Sequence, residues 1–352
     1  MSNPTRTARL LAGAALAALA AGPALAQDSD LLVFDYSGFE DPGFHPDYIE
    51  ANGASPTFAF FGDEDEAFQK LQSGFRADVS HVCAGSVTKW QESGLLEPWD
   101  TSKIDAWEDL NPELTGQDVT TGAEDVYFVP TDFGSTAIIY NEEDVPAEDV
   151  ASLDVFLNPA YAGRMTLPDN VDDAYALAYL ATGVTDWGDV DDAEFEAATD
   201  WLRQVHPNLR TYWQDPAELA QLVSTGEVQI AWAWNETYPT LTEMDFPAGF
   251  QRTAEEGSSL WLCGYVNLAS GEGVEDKAYD FINAMLAPTS TDALLTEGYG
   301  QANQAAMSEK SQEELAASGL EEIDAPVLAQ LPMSQELRQK QNEAFERIKA
   351  GF

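Results

Sequence analysis

Two cysteines, three histidines, the adjacent aspartates Asp172 and Asp173 and nine tryptophans are the side chains from which chemistry in this chain would have to come. Cys83 and Cys263 lie far apart and no Cys-x-x-Cys occurs, while His45, His81 and His206 show no His-x-x-x-His spacing, so no metal is expected. Asp172 and Asp173 are neighbours, and adjacent loop residues rarely flank one scissile bond as a hydrolytic carboxylate pair must. The sequence holds no Gly-x-Ser-x-Gly elbow, no Walker loop and no evident Cys/His dyad. A secreted enzyme is therefore a rival reading without a motif to carry it, and no cofactor is expected. Aromatic residues are more often core than cage, and Trp90, Trp99, Trp107, Trp187 and Trp201 are assigned to packing.

The N-terminus dictates where this chemistry takes place. Arg6 and Arg9 precede an apolar run over 10–21, followed by Pro23 and the small-residue close Ala24-Leu25-Ala26. That pattern reads as a secretory signal peptide cleaved after Ala26. The run is too short to span a bilayer, and no cysteine near the cut could carry a lipid. Export allows Cys83 and Cys263 to pair, although two free, partly buried thiols remain an open alternative. The formal net charge of −46 becomes −48 once Arg6 and Arg9 are gone, spread along the chain rather than gathered in a tail. Binding to nucleic acid or to an anionic membrane surface is excluded on that ground. One small ligand needs a few carboxylates, not dozens, so most of the excess reads as a solvated acidic surface suited to high salt.

The elements that must position any site follow an alternating order. Strand signals at 31–34 and 77–82 flank a helix over 64–74, and a second helix runs through Trp90. Strand signals at 126–130 and 136–140 are separated by Thr131-Asp132-Phe133-Gly134-Ser135, a segment where the chain is expected to cross between lobes. A strand at 165–167 leads through 168–173 into a helix reaching Leu180. Beyond it lie a helix over 217–225, strands at 228–234 and 260–268, a helix over 276–286 stopped before Pro288, and an amphipathic terminal helix over 334–349 read as packing. Strand, helix, strand alternation predicts α/β layers with a largely parallel sheet. The length predicts two lobes of roughly 150 residues each.

The segments Phe34-Asp35-Tyr36-Ser37-Gly38-Phe39, Ala77-Asp78-Val79, Gly134-Ser135-Thr136-Ala137-Ile138, Gly226-Glu227-Val228 leading to Trp234-Asn235, Leu260-Trp261-Leu262 and Glu297-Gly298-Tyr299 stand in a telling order. In that order and spacing the mature chain resembles the periplasmic solute-binding proteins of ABC importers, in their spermidine/putrescine-binding branch. The resemblance implies the type II periplasmic-binding-protein fold, two α/β lobes joined by crossover strands with a ligand clamped between them. Lobe 1 is expected at 27–135 with 264–303 returning to it, and lobe 2 at 136–263 with 304–352 returning. It further implies a monomer in the periplasm that delivers a small organic cation to an inner-membrane ABC permease.

By the same resemblance, Tyr36, Phe39, Trp234, Trp261 and Tyr299 occupy the family's aromatic ligand positions, with Tyr36 where the family has Trp and Phe39 where it has Tyr. Trp232 and Trp213 are weaker candidates. Strand alternation puts Trp232 on the same face as Trp234, where one would support the other. The family's carboxylates fare differently: the first acidic position of the second lobe is Asn170, the next Asp173, and the acid two residues after the cleft Trp is Cys263. Asp172 or Asp173 could instead cap the following helix. Asp132 is either a cleft carboxylate or a turn-forming Asp. The resemblance also brings Cys83 and Cys263 to two ligand-proximal positions, where a disulfide would tie the lobes near the pivot. A primary ammonium needs charge-assisted hydrogen bonds, whereas a quaternary ammonium or sulfonium is drawn to aromatic faces. Aromatics kept and acids lost favour a methylated onium osmolyte of the glycine betaine, choline or dimethylsulfoniopropionate type, with putrescine or spermidine as the alternative.

Overall fold

The computed structural model describes residues 27–112 and 125–352, and the signal peptide expected at 1–26 lies outside them. Twelve strands form one sheet: β1 (Gln27–Tyr36), β2 (Ser55–Phe61), β3 (Val79–Cys83), β4 (Leu96–Glu97), β5 (Phe128–Asn141), β6 (Met165–Pro168), β7 (Leu209–Trp213), β8 (Ile230–Trp234), β9 (Ala248–Gln251), β10 (Ser258–Leu268), β11 (Gly300–Gln301) and β12 (Val327–Ala329). Along its main path the order is β2-β1-β3-β10-β5-β8-β6-β7. The sheet is mixed rather than largely parallel. β1 runs parallel to β2 and β3, and β6 parallel to β7 and β8. Antiparallel β10 and β5 join these two parallel halves.

Each half buries its own apolar side chains. One core gathers Leu31, Val33, Phe34, Val79, Val82, Trp90, Phe128, Val129, Leu262, Tyr265 and the helix Glu275–Leu286. A second takes Ala137, Ile138, Met165, Leu167, the helix Val171–Thr182 and Trp201. A third, smaller cluster forms around Trp213, Leu219, Ala231 and Ala233. Because β5 and β10 contribute to the first core at one end and carry the chain toward the other half, they are the physical link between two lobes. Trp90, Trp99, Trp187 and Trp201 are buried and Trp107 packs on the first core, as packing residues should. Trp232 belongs to the second core, and Trp234, two residues further along β8, packs against the third.

The segment around Asp132 is not a loop. β5 runs unbroken from Phe128 to Asn141, which overturns the turn reading of Asp132. Opposite β10, Cys263 pairs with Asp132 but Gly264 pairs with Pro130, leaving Thr131 as the extra residue of a β-bulge. Pro130, which has no N–H to give the ladder, sits at that irregularity. Gly264 is required there, since a Cβ would overlap the Val129 carbonyl oxygen and the Pro130 Cα.

Candidate functional site

The lobe 1 side of the site is built where β1 and β3 end. Tyr36 closes β1 with its ring 4.5 Å from Phe61, and its hydroxyl donates to Glu64 Oε1 at 3.2 Å. Phe39 is buried beyond that strand end, edge-on to His81 at 4.3 Å and stacked on Tyr299 at 5.2 Å. Tyr299 in turn meets Trp261 edge-on at 5.9 Å. Trp261 lies over Gly134 of the paired strand, where a Cβ would overlap its indole. Sequence-selected Tyr36, Phe39, Tyr299 and Trp261 are thereby brought into one aromatic group with His81, which sequence reasoning had noted only for lacking metal spacing.

Behind this group lies a buried ionic network. His81 Nδ1 contacts Asp35 Oδ1 at 2.8 Å, and its Nε2 contacts Asp132 Oδ1 at 3.1 Å. Tyr265 stacks on the His81 ring at 4.7 Å and donates from its hydroxyl to Asp35 Oδ2 at 2.6 Å. Burial pulls the His81 pKa down, but Asp132 and then Asp35 more than reverse this and push it up to about 10, which favours the protonated ring. Thr131 donates to Asp132 Oδ1 at 2.7 Å, while Asp132 Oδ2 is buried and finds no hydrogen-bond partner among the described residues.

The lobe 2 side centres on Asp173. Asn170 caps the helix Val171–Thr182, its Oδ1 accepting from the amides of Asp172 and Asp173 at 2.9 and 3.1 Å. Asn170 is thus the helix cap, and neither aspartate is. Asp173 Oδ2 accepts from Trp234 Nε1 at 2.7 Å, and Oδ1 accepts from Thr136 and Gln330 at 3.1 and 2.9 Å. Burial raises the Asp173 pKa, the Trp234 hydrogen bond restrains it, and the Asp172 charge adds to it, giving about 6. Trp213, fully buried, braces Trp234 edge-on at 4.7 Å. Glu236, missed in the sequence, follows β8 and carries a pKa pushed up to about 8, first by burial and then by Asp173, Glu297 and Asp132. Its charge is the main reason why the Tyr299 hydroxyl titrates well above its ordinary range. The alternation of β8 gives no cue to Glu236, since it lies past the strand's end.

Two further features close the site. Cys83 and Cys263 form a disulfide between directly paired residues of β3 and β10. It staples the crossover strand β10 to β3. The helix Gln335–Lys349 does more than pack: Leu337, Phe345 and Ile348 enter the second core, while Gln335 donates to Glu92 of the helix Ala84–Glu92 at 2.6 Å. Arg338 Nη1 donates to both Asp172 oxygens at 2.9 Å. Burial opposes its charge, but Asp172, then Glu64 and Asp65 across the cleft, hold it firmly protonated.

Two α/β halves joined by long crossover strands, with aromatic and acidic side chains gathered between them, define a type II periplasmic binding protein. The profile for bacterial extracellular solute-binding proteins matches residues 49–317, and the chain belongs to that family. It is 25% identical over 301 residues to the spermidine/putrescine-binding periplasmic protein of Salmonella typhimurium, covering 84% of each chain. To the putrescine-binding periplasmic protein PotF of Escherichia coli it is 23% identical over 295 residues, 79% of each. The fold is shared with the spermidine/putrescine substrate-binding protein PotD of Streptococcus pneumoniae (TM-score 0.73, 21% identity, 92% of this chain and 99% of that one). MotA from A. tumefaciens B6, in complex with glucopine, is similar too (TM-score 0.75, 18% identity, 91% and 99%). The chain is thus the substrate-binding component of an ABC transporter, and such components bind and deliver rather than transform.

Proposed function

We propose that the cleft captures a small organic cation, with a methylated ammonium or sulfonium osmolyte as the favoured ligand, and passes it to an inner-membrane permease. The observation that carries this reading is a cluster of buried carboxylates whose acceptor oxygens are mostly taken by the protein itself. Both oxygens of Asp35 and both of Asp173 already accept hydrogen bonds, as does Asp132 Oδ1. Cys263 is committed to its disulfide and Asn170 to its helix cap. What remains is a negative field whose vacant acceptors are confined to Asp132 Oδ2 and the Glu236 carboxyl, fewer than two fully solvated primary ammonium ends would use. An onium group asks only for that field and for aromatic faces, each worth roughly 0.5–2 kcal/mol. Tyr36, Phe39, Trp234, Trp261 and Tyr299 supply the faces, and Asp132, Asp173 and Glu236 the field.

A second reading, polyamine binding, draws on the vacant Asp132 Oδ2 and on relatives named for spermidine and putrescine. In either case lobe 1 comprises 27–135 with 264–303 and lobe 2 comprises 136–263 with 304–352. The protein acts as a periplasmic monomer after cleavage behind Ala26. Thermal-shift screening followed by calorimetric titration separates the readings: glycine betaine, choline or dimethylsulfoniopropionate at 100-fold its Kd should add roughly 2.7 kcal/mol of stability. Submicromolar spermidine binding with no response to any onium compound would sink the favoured one.

A further inference from the structure

We infer that His81 is a positioning residue that sets the charge of the ligand site: held between Asp35 and Asp132, it cancels one of two buried aspartate charges, leaves Asp132 Oδ2 free, and so tunes this wall to a singly charged cation. The inference rests on the cation-binding reading above, but not on which cation binds.

The geometry is specific to this role. Asp35 comes from β1, His81 from β3, Asp132 from the bulge in β5 and Tyr265 from β10, so four strands converge on one imidazole. Each ring nitrogen meets a different carboxylate, at 2.8 and 3.1 Å, an arrangement in which only a doubly protonated ring donates to both. Tyr265 stacks below the ring and also binds Asp35, while Tyr36 and Phe39 stand edge-on to it at 5.7 and 4.3 Å. Those five side chains are the groups that face the ring, and the two aspartates are its only charged partners among them. Three buried ions of charge −1, +1 and −1 leave a net −1. Without the imidazolium the same wall would carry −2 or would have to hold a proton between its aspartates. With it, Asp132 Oδ1 is fixed by His81 and Thr131, and the second oxygen is the one left without a partner. The site then has one compensating charge to offer from lobe 1, which suits a monocation and undersells a dication.

Three measurements test this on the full mature protein. In the ligand-free wild type, nitrogen-15 NMR of the histidine rings should show His81 protonated on both nitrogens through pH 8; a neutral ring there overturns the inference whatever the ligand proves to be. Kd values for choline, glycine betaine and putrescine are then compared between wild type and His81→Gln, with circular dichroism as the check on folding. Removing the imidazolium should move the putrescine-to-choline affinity ratio toward putrescine by roughly tenfold or more. A ratio unchanged within about threefold in a folded variant, at values where a single charge would have been felt, rejects the tuning role. Should His81→Gln fail to fold, Asp35→Asn serves instead, with the His81 titration expected to fall by more than about one pH unit; no fall counts against the inference. A wild type that binds none of the three cations would defeat the ligand reading while leaving the NMR result to judge His81 alone.

Discussion

Burial penalises the ionised form of a carboxylate, and at Glu236 this penalty is compounded by the like charges of Asp173, Glu297 and Asp132. The folded-state pKa of Glu236 lies at about 8 and that of Asp173 at about 6, each above its ordinary value. A raised carboxylate pKa means that the folded state binds protons the unfolded state has released. Without ligand, the contribution of these two groups to stability is therefore most favourable below the ordinary carboxylate range and falls as pH rises through it toward 8. A bound cation inverts the local field, favours both ionised forms and expels protons. Affinity should accordingly rise between pH 6 and 8 and level off above, by up to roughly tenfold per pH unit for each proton released. Titration calorimetry in buffers of different ionisation enthalpy checks this, and an affinity flat from pH 6 to 8 with no proton release would show that Glu236 does not feel the ligand. At this scale the sequence singled out Trp234, Trp261, Tyr299 and Asp173 only through positions of a family, and their role toward a ligand is part of the proposal. Asp35 and Asp132 contact His81 from 46 and 51 residues away. Such contacts exist only through sheet register, which a single sequence does not display. The available signal was a histidine set in a short expected strand, since a buried imidazole must find partners.

Among the elements, most helices and short strands followed from periodicity and punctuation, because those are local properties. The helix Pro216–Ser224 before Gly226 and the helix Glu275–Leu286 before Pro288 are examples. The crossover strand β5 was read as two strand signals with a crossing segment between them, whereas it is one continuous strand. Pro130, Asp132 and Gly134 carry turn chemistry in isolation, yet here they serve a bulge, an ionic contact and the seat of an indole. The same register explains the disulfide. Cys83 and Cys263 are 180 residues apart and left open by sequence, but they become direct cross-strand neighbours once β10 pairs with β3. Since the bond joins residues that are already ladder partners in β3 and β10, it should stabilise the fold without locking the cleft. The double variant Cys83→Ser, Cys263→Ser is expected to lose about 2–4 kcal/mol in denaturant unfolding while still closing on its ligand. Alkylation without reductant should leave the native chain unmodified by mass, and two alkylated thiols would reject the bond.

For the whole molecule the decisive quantity is the imbalance of 62 acidic against 16 basic residues. Most basic side chains are already engaged, several with two acids at once. Lys277 reaches Asp28 and Asp30, Lys340 reaches Asp192 and Glu336, and Lys349 reaches Asp169 and Glu346. Exposed pairs of this kind are worth only about 0–1 kcal/mol each, and added salt weakens them. It also weakens the repulsion among the many acids left unpaired, which acts over longer distances and opposes the compact state. The repulsive terms are the more numerous and the more solvent-exposed, so screening should favour the fold on balance. Raising NaCl from about 0.1 M to 1 M shortens the Debye length from roughly 10 Å to 3 Å. Over that range Tm should rise, and chloride keeps the effect distinct from the surface exclusion that sulfate would add. The buried lobe 2 guanidinium of Arg338 pairs with Asp172 and feels Glu64 and Asp65 of lobe 1 at longer range, an interaction whose cation is shielded from solvent and hence screened less. Ligand affinity should therefore respond to salt less steeply than stability does. Differential scanning calorimetry with and without ligand across the salt series measures both, and a Tm that falls with NaCl would mean that the surface ion pairs outweigh the repulsion.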